Sequence, residues 1–392
     1  MKFSMNRESL IEVLKKLRPF VSQRSMLPVL QNVRVAASEN QVALTTTNLD
    51  VMASMTLAAD VQEVGETTLP FSLLANVLGE MSGELVSFAM GAQDGKKERT
   101  VISSDLAESA LIGMGAKEFP KDPFAPTDDM TSFRVHADWL KPRLSRVMFA
   151  ALDNDSRPVL TTILWKCGGR DLTLVATDGF RLVMIDEPDA HGTGNIPHGN
   201  PERDFELLLP TTSLAGILQL LDGEVAITIN CQRMKFETKT ATAVVAVPDY
   251  EYPVYQPIVP TRYFHQVRLE RARAIAAARL ALVIAQEDTV NKAVTLKVLT
   301  NASDGTKGVL ARSAGVSSVG ENEARAALLE QTDSGNGFEQ MGVNGRYLLD
   351  AFTQAPDGDL LIETVSPADP LVVRSVNDAT WQCIVMPIHL KR

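Results

Sequence analysis

One structural unit is written three times along this chain, and that repetition restricts the fold more than any other feature. Phe3, Phe133 and Val267 each lead into a helix-forming stretch, at spacings of 130 and 134 residues. Leu69, Leu209 and Val343 precede a second such stretch, 140 and 134 residues apart. Pro120, Pro253 and Pro387 close the units, 133 and 134 apart. Three landmarks sharing nearly one period indicate tandem copies of one unit. Prolines crowd both junctions, Pro120, Pro123 and Pro126 at one and Pro253, Pro257 and Pro260 at the other. Such stretches mark linkers, so the expected domains are 1–128, 129–262 and 263–392. At 392 residues the chain is in any case too long for a single core.

Within each unit the apolar periodicity predicts two helices and two runs of antiparallel strands. Helices are expected over Arg7–Val21, Ser72–Met81, Trp139–Ala150, Ser213–Leu221, Arg271–Ala285 and Arg346–Gln354. In the first, Leu10, Val13, Leu14 and Leu17 fall on one face, and Asn6 is a suitable cap. Period-two stretches such as Val33–Ala37 and Val42–Thr46 read as strands. The fold class is therefore α+β, with the helices covering one face of the sheets.

The most distinctive stretch is Arg157–Leu182. Thr162–Trp165 and Leu172–Ala176 alternate as strands around Gly168–Gly169, which predicts a hairpin. The tail Thr177-Asp178-Gly179-Phe180-Arg181-Leu182 reads as a turn leaving a sheet edge.

The formal charge is −10, unsuited to a chain coated in basic residues. Its distribution is uneven. Residues 7–24 carry five basic residues against two acidic, residues 138–150 three against one, and residues 268–286 four against one. The first helix of every unit is basic on an otherwise acidic protein. That asymmetry suits loose, sequence-blind contact with a phosphate backbone. The residues in question are Lys15, Lys16, Arg18 and Arg24, then Lys141, Arg143 and Arg146, then Arg271, Arg273 and Arg279.

No assembled chemistry accompanies this pattern. There is no phosphate-loop glycine motif, no H-E-x-x-H and no G-x-S-x-G elbow, and the five histidines are scattered. His191 and His198 share a Gly/Pro loop with no ligand spacing. Cys167, Cys231 and Cys383 lie in separate apolar contexts, as buried free thiols would in a reducing cytoplasm. Asp178 has Asn48 as its repeat counterpart, which favours a turn role over an acid–base one. No 18-residue apolar run and no signal-peptide pattern is present, so neither membrane nor export is expected. No metal and no cofactor is expected.

Short motifs in a specific order complete the sequence reading: Met1-Lys2-Phe3, Leu27-Pro28-Val29-Leu30, Arg157-Pro158-Val159-Leu160, Ala176–Leu182, Tyr252-Pro253 and Val385-Met386-Pro387-Ile388-His389-Leu390. On these motifs the whole chain resembles the bacterial DNA polymerase III β subunit family, the replicative sliding clamps. The resemblance implies three tandem clamp domains and a head-to-tail homodimer closed into a ring around double-stranded DNA. It implies a processivity subunit without catalysis, in the cytoplasm on the nucleoid. The implied partners are the replicative polymerase catalytic subunit, the clamp loader, and other polymerases, mismatch-repair and ligase proteins carrying short peptides. A clamp-like interaction scaffold that does not encircle DNA is the alternative.

The resemblance also implies a peptide cleft. Its central-unit side is Arg157, Leu160, Thr177, Gly179, Phe180, Arg181 and Leu182, and the linker adds Pro253 and Ile258. The third unit adds Asn344, Tyr347, Leu371, Val373, Val385, Met386, Pro387, Ile388 and Leu390. Leu, Val, Ile and Met make an adaptable apolar trough, with Arg157 and Arg181 as donors on its rim. Leu111, Val283 and Ile284 are the expected apolar contacts between subunits, with core packing as the alternative for each.

Overall fold

The computed structural model describes residues 1–22, 24–91, 97–127, 129–154, 156–168, 171–188, 203–230, 232–286, 292–300, 307–314, 321–333 and 340–389. Among them are six α-helices: α1 (Arg7–Leu17), α2 (Phe71–Glu80), α3 (Ala137–Met148), α4 (Thr211–Leu220), α5 (Arg271–Ala285) and α6 (Gly345–Gln354). Each repeat thus contributes its two expected helices. The one substantial boundary error is at α1. Pro19 cannot continue the α-helical ladder, and the chain tightens into a 3-10 turn over Arg18–Phe20 instead of running on to Val21.

The chain forms two compact units, Met1–Pro142 with His191–Asp249, and Arg143–Ala190 with Tyr250–Arg392. In the first unit a continuous antiparallel sheet joins strands of two repeats, and Val51–Ala58 pairs with Ala241–Ala246 in the register Ala241↔Met55 to Val245↔Val51. Asn6 caps α1 by accepting from the Ser9 amide at 2.9 Å, and Leu10, Val13, Leu14 and Leu17 turn inward. Phe3 stacks on its cross-strand partner Phe88 with ring centroids 4.7 Å apart. Helix α4 approaches the Arg18–Phe20 turn very closely. A Cβ on Gly216 would lie 2.7 Å from Phe20 Cζ.

The second unit repeats the device. Arg181–Glu187 pairs with Asp378–Val385, from Arg181↔Val385 to Ile185↔Trp381. Trp165 and Trp381 are fully buried there, and the Trp381 indole N–H donates to the Arg146 carbonyl at 3.0 Å. Helix α5 packs through small residues, Ala274, Ala277, Ala278, Ala281 and Ala285, together with Leu282. The start of α6 sits close against it, with Gly345 leaving no room for a side chain beside Val294 and Leu282.

The hairpin Thr162–Gly168 with Asp171–Thr177 forms as expected. The Thr177–Leu182 tail does not leave a sheet edge. It turns back at once into Arg181–Glu187, a strand paired on both sides, with Asp171–Thr177 and with Asp378–Val385. The Leu182-Val183-Met184-Ile185 run is buried and hydrophobic enough for an interior strand, and the polar turn before it carries no sign of that.

Candidate functional site

The turn Thr177–Arg181 is the hinge of the site. The Thr177 hydroxyl donates to the Arg181 carbonyl at 2.6 Å and accepts from the Gly179 amide at 3.0 Å. Asp178 Oδ1 accepts from the Phe180 and Arg181 amides, each at 2.9 Å. Gly179 takes φ +92°, the left-handed region where glycine costs least. These bonds make Asp178 a turn residue, as its pairing with Asn48 implied, and they push Phe180 outward.

Beside this turn lies a pocket of about 140 Å³. Arg157, Leu160, Thr177, Gly179, Phe180, Arg181 and Leu182 line one side, and Pro253, Val254, Tyr255, Ile258, Ile384 and Met386 the other. Four exposed large apolar side chains meet here: Phe180 is 61% exposed, Val254 75%, Ile258 41% and Met386 38%. The Met386 amide donates to the Phe180 carbonyl at 2.9 Å and ties the two walls together. The linker wall is anchored by the Tyr252 hydroxyl, which donates to the Val175 carbonyl at 3.4 Å. Burial raises the pKa of that phenol above its usual range, so it stays a donor. An apolar, partly open trough with one exposed arginine can take up large aliphatic or aromatic side chains of a peptide.

Ten of the expected cleft residues line this pocket: Arg157, Leu160, Thr177, Gly179, Phe180, Arg181, Leu182, Pro253, Ile258 and Met386. Val254, Tyr255 and Ile384 line it as well and were missed. The Val254-Tyr255 apolar pair directly after Pro253 was the available signal. Leu371, Val373 and Val385 are placed elsewhere, each fully buried. Leu371 opposes Val385 and Val373 opposes Cys383, so these four share the core face of their sheet. Strand alternation sends Ile384 and Met386 to the other face, toward the pocket. Asn344 caps α6, accepting from the Arg346 and Tyr347 amides at 2.9 and 3.3 Å. Pro387 and Ile388 pair with Val343 and Gly342 as a short strand. Leu390, like Cys231, His191 and His198, lies outside the described residues.

Arg181 is not the free rim donor expected. Its side chain is only 11% exposed, and it donates to Asp178, to Asp350 and to the Phe149 carbonyl. Tyr347 lays its ring against the guanidinium, 4.5 Å from the centroid. Burial, then the nearby Asp178 charge, pushes the Tyr347 phenol up to about 12. Arg157 remains exposed at the pocket mouth.

The basic helices separate into two groups. Lys15, Lys16, Arg18, Arg24 and Arg279 are exposed. Arg143 instead makes a bidentate pair with Glu187 at 2.9 and 3.0 Å, while Arg273, exposed as well, is paired with Glu270 at 2.8 Å. Arg271 pairs with Asp357 and also donates to the Phe352 and Thr353 carbonyls at the end of α6. Lys141 donates to the Leu221 carbonyl, and Arg146 is half-buried. Net charge in a sequence window therefore overstated the positive surface of α3 and α5. Leu111 is a second correction, because it is 7% exposed and its neighbour Ile112 is 58% exposed. Alternation along Glu108–Met114 turns Leu111 inward and Ile112 out. Val283 is exposed and Ile284 half-buried.

Comparison with known proteins gives one consistent answer. The model of the DNA polymerase III beta subunit N-terminal domain matches residues 1–123, and that of its central domain matches residues 134–254. A beta sliding clamp from a Synechocystis species is 26% identical over 403 residues, covering all of both chains. That of Bacillus subtilis is 23% identical and covers 99% of this chain and all of its own. Among solved structures, the Helicobacter pylori beta clamp bound to a DNA ligase peptide aligns with a TM-score of 0.85 at 18% identity over all of both chains. A Pseudomonas aeruginosa sliding clamp bound to griselimycin aligns at 0.84 and 22%, also over all of both chains.

Proposed function

The chain belongs to the DNA polymerase III beta subunit family, and on that premise we propose that it works as a sliding clamp, a homodimeric ring that encircles double-stranded DNA. It performs no catalysis. It tethers the replicative polymerase by topology, so affinity for DNA itself can stay low. Each subunit is built of three clamp domains, 1–128, 129–262 and 263–392. Exposed Lys15, Lys16, Arg18, Arg24 and Arg279 face the phosphates, and Ile112, Val283 and Ile284 contribute to the contact between subunits.

The observation that carries the partner-binding part of the reading is the apolar pocket at Phe180, Val254 and Met386. A large apolar side chain buried there contributes about 1.5–3 kcal/mol. Two such anchors, after the cost of association, support roughly micromolar affinity. Partners that must exchange at one site need binding of that order. The clamp loader, polymerases, and mismatch-repair and ligase proteins dock there through short peptides, in the cytoplasm.

The test is retention on DNA of two topologies. The protein is loaded with a matched clamp loader and ATP onto nicked circular plasmid, and half the sample is then linearised. Retention on circles with loss from linear ends is the expected result. Equal retention on both would mean electrostatic binding, and the reading would give way to a scaffold that does not encircle DNA.

A further inference from the structure

We propose that the two arginines of the pocket have separate duties: Arg157 reads peptide charge, and Arg181 is a positioning residue held by Asp350. The proposal rests on the peptide-cleft reading above and assigns a role to Asp350, which does not line the pocket.

Every nitrogen of the Arg181 side chain is already committed. Nε donates to Asp178 Oδ2 at 3.1 Å, Nη1 to Asp350 Oδ2 at 2.7 Å and Nη2 to the Phe149 carbonyl at 2.7 Å. The Phe149 and Tyr347 rings lie against it, their centroids 5.2 and 4.5 Å from Cζ. Arg346 pairs with Asp350 at 3.2 Å, so two cations and two carboxylates balance. A guanidinium so enclosed cannot turn toward a ligand without taking the cation from the buried Asp178 and weakening its hold on half-buried Asp350, which costs more than a new surface contact returns.

What Arg181 does instead is mechanical. It ties its own strand, which begins at the pocket wall, to the chain just beyond α3 and to α6. Asp350 stands one turn after Tyr347 on α6, so the ion pair and the ring contact hold the same helix face. Loss of Asp350 frees that face and slackens the wall formed by Phe180 and Leu182. Arg157 has the opposite character. It is exposed, and its Nη1 lies 3.4 Å from the Cβ position of Gly179, over the pocket mouth. An exposed cation attracts a carboxylate by a factor of only about 2–5 and loses that attraction in salt.

The occupant is accordingly an apolar peptide with a single acidic residue beside its anchors. The probes are a short labelled peptide with two leucine anchors and one Asp, and its twin with Asn in place of Asp. Affinities are read by fluorescence anisotropy at low and high salt, with melting temperatures recorded for every variant. Wild type is expected to prefer the Asp peptide by about threefold at low salt. Arg157→Gln brings that preference to about one. Asp350→Asn weakens both peptides about tenfold while the preference and its salt dependence persist, and Asp350→Glu recovers most of the loss. Preference retained in Arg157→Gln overturns the assignment. So does a gain of Asp preference in Asp350→Asn, because it would mean that released Arg181 reads charge. Wild type binding neither peptide would overturn the cleft reading itself, and this proposal with it.

Discussion

Leu49 and Gly179 take the same left-handed backbone step, with φ +78° and +92°, at the same place in the same turn of consecutive repeats. Thr47 and Thr177 brace the two turns identically: each hydroxyl donates to the carbonyl four residues on and accepts from the amide two residues on. Asn48 and Asp178 both accept from the amide three residues on. The turn itself therefore does not require glycine. What glycine supplies at 179 is open space beside Arg157, on the floor of the pocket.

Gly179→Leu copies the first repeat into the second. The left-handed step costs a leucine about 1–2 kcal/mol, which the hydrogen-bonded turn tolerates at residue 49. The variant is expected to fold with a slightly lower melting temperature and to bind an apolar peptide at least tenfold more weakly. Undiminished affinity in calorimetry would show that this turn does not bound the binding surface.

Gly216→Ala reverses the usual sign of a helix substitution. Replacing an interior helical glycine by alanine ordinarily gains about 1 kcal/mol. Here the new methyl would meet the Phe20 ring at 2.7 Å, and Phe20 is itself fully buried. Overpacking of this kind costs about 1–3 kcal/mol, so the expected net effect is a lower urea midpoint. Pairing it with Phe20→Leu makes room for the methyl, and the double variant should lose less than the two single losses added together.

The repeat made the helices legible because its landmarks fix where amphipathic stretches begin, and α5 was placed residue for residue. The turn at Thr177–Arg181 was legible from Asn48 and Asp178 alone. Side-chain direction at the site was less so. Val385 and Met386 are neighbours in sequence, yet alternation buries the first and sends the second to the pocket. Their motif is apolar throughout and carries no periodic signal to separate them. Arg181 was misread for a related reason. Its partners Phe149 and Asp350 come from distant segments, and nothing near residue 181 announces that its charge is already answered.

Arg143 and Lys16 test the division between structural charge and the charge proposed to face DNA. Glu187 is largely buried beneath Arg143, so Arg143→Ala leaves a desolvated carboxylate and is expected to cost about 2–3 kcal/mol. Lys16→Ala, at an exposed position, should stay within about 0.5 kcal/mol of wild type. Any residual DNA affinity should behave the other way. Lys16→Ala reduces the slope of log K against log salt by about 1 per bound site, and the slope of Arg143→Ala is unchanged. Equal slopes for wild type and Lys16→Ala would remove α1 from the DNA-facing surface.

Cys383 imposes an alkaline limit on stability. Burial pushes its thiol up to about 12 from 9.0; Arg181 lowers it somewhat, and Asp178 and Asp350 raise it further. The unfolded chain releases this proton first, so between those values the native state binds one proton more than the unfolded state. Stability is then fully present below about pH 9 and falls as pH rises toward 12. The contribution lost from this group between pH 8 and pH 10 is about 1 kcal/mol. Denaturant midpoints of wild type should therefore fall more steeply over that range than those of Cys383→Ala, whose own midpoint is lower at neutral pH from the cavity left behind. Parallel curves would mean that the thiol ionises in the folded protein as readily as in the unfolded chain. That would require solvent to reach the strand directly behind the pocket, and native Cys383 would then react with a thiol reagent at pH 8 without prior unfolding.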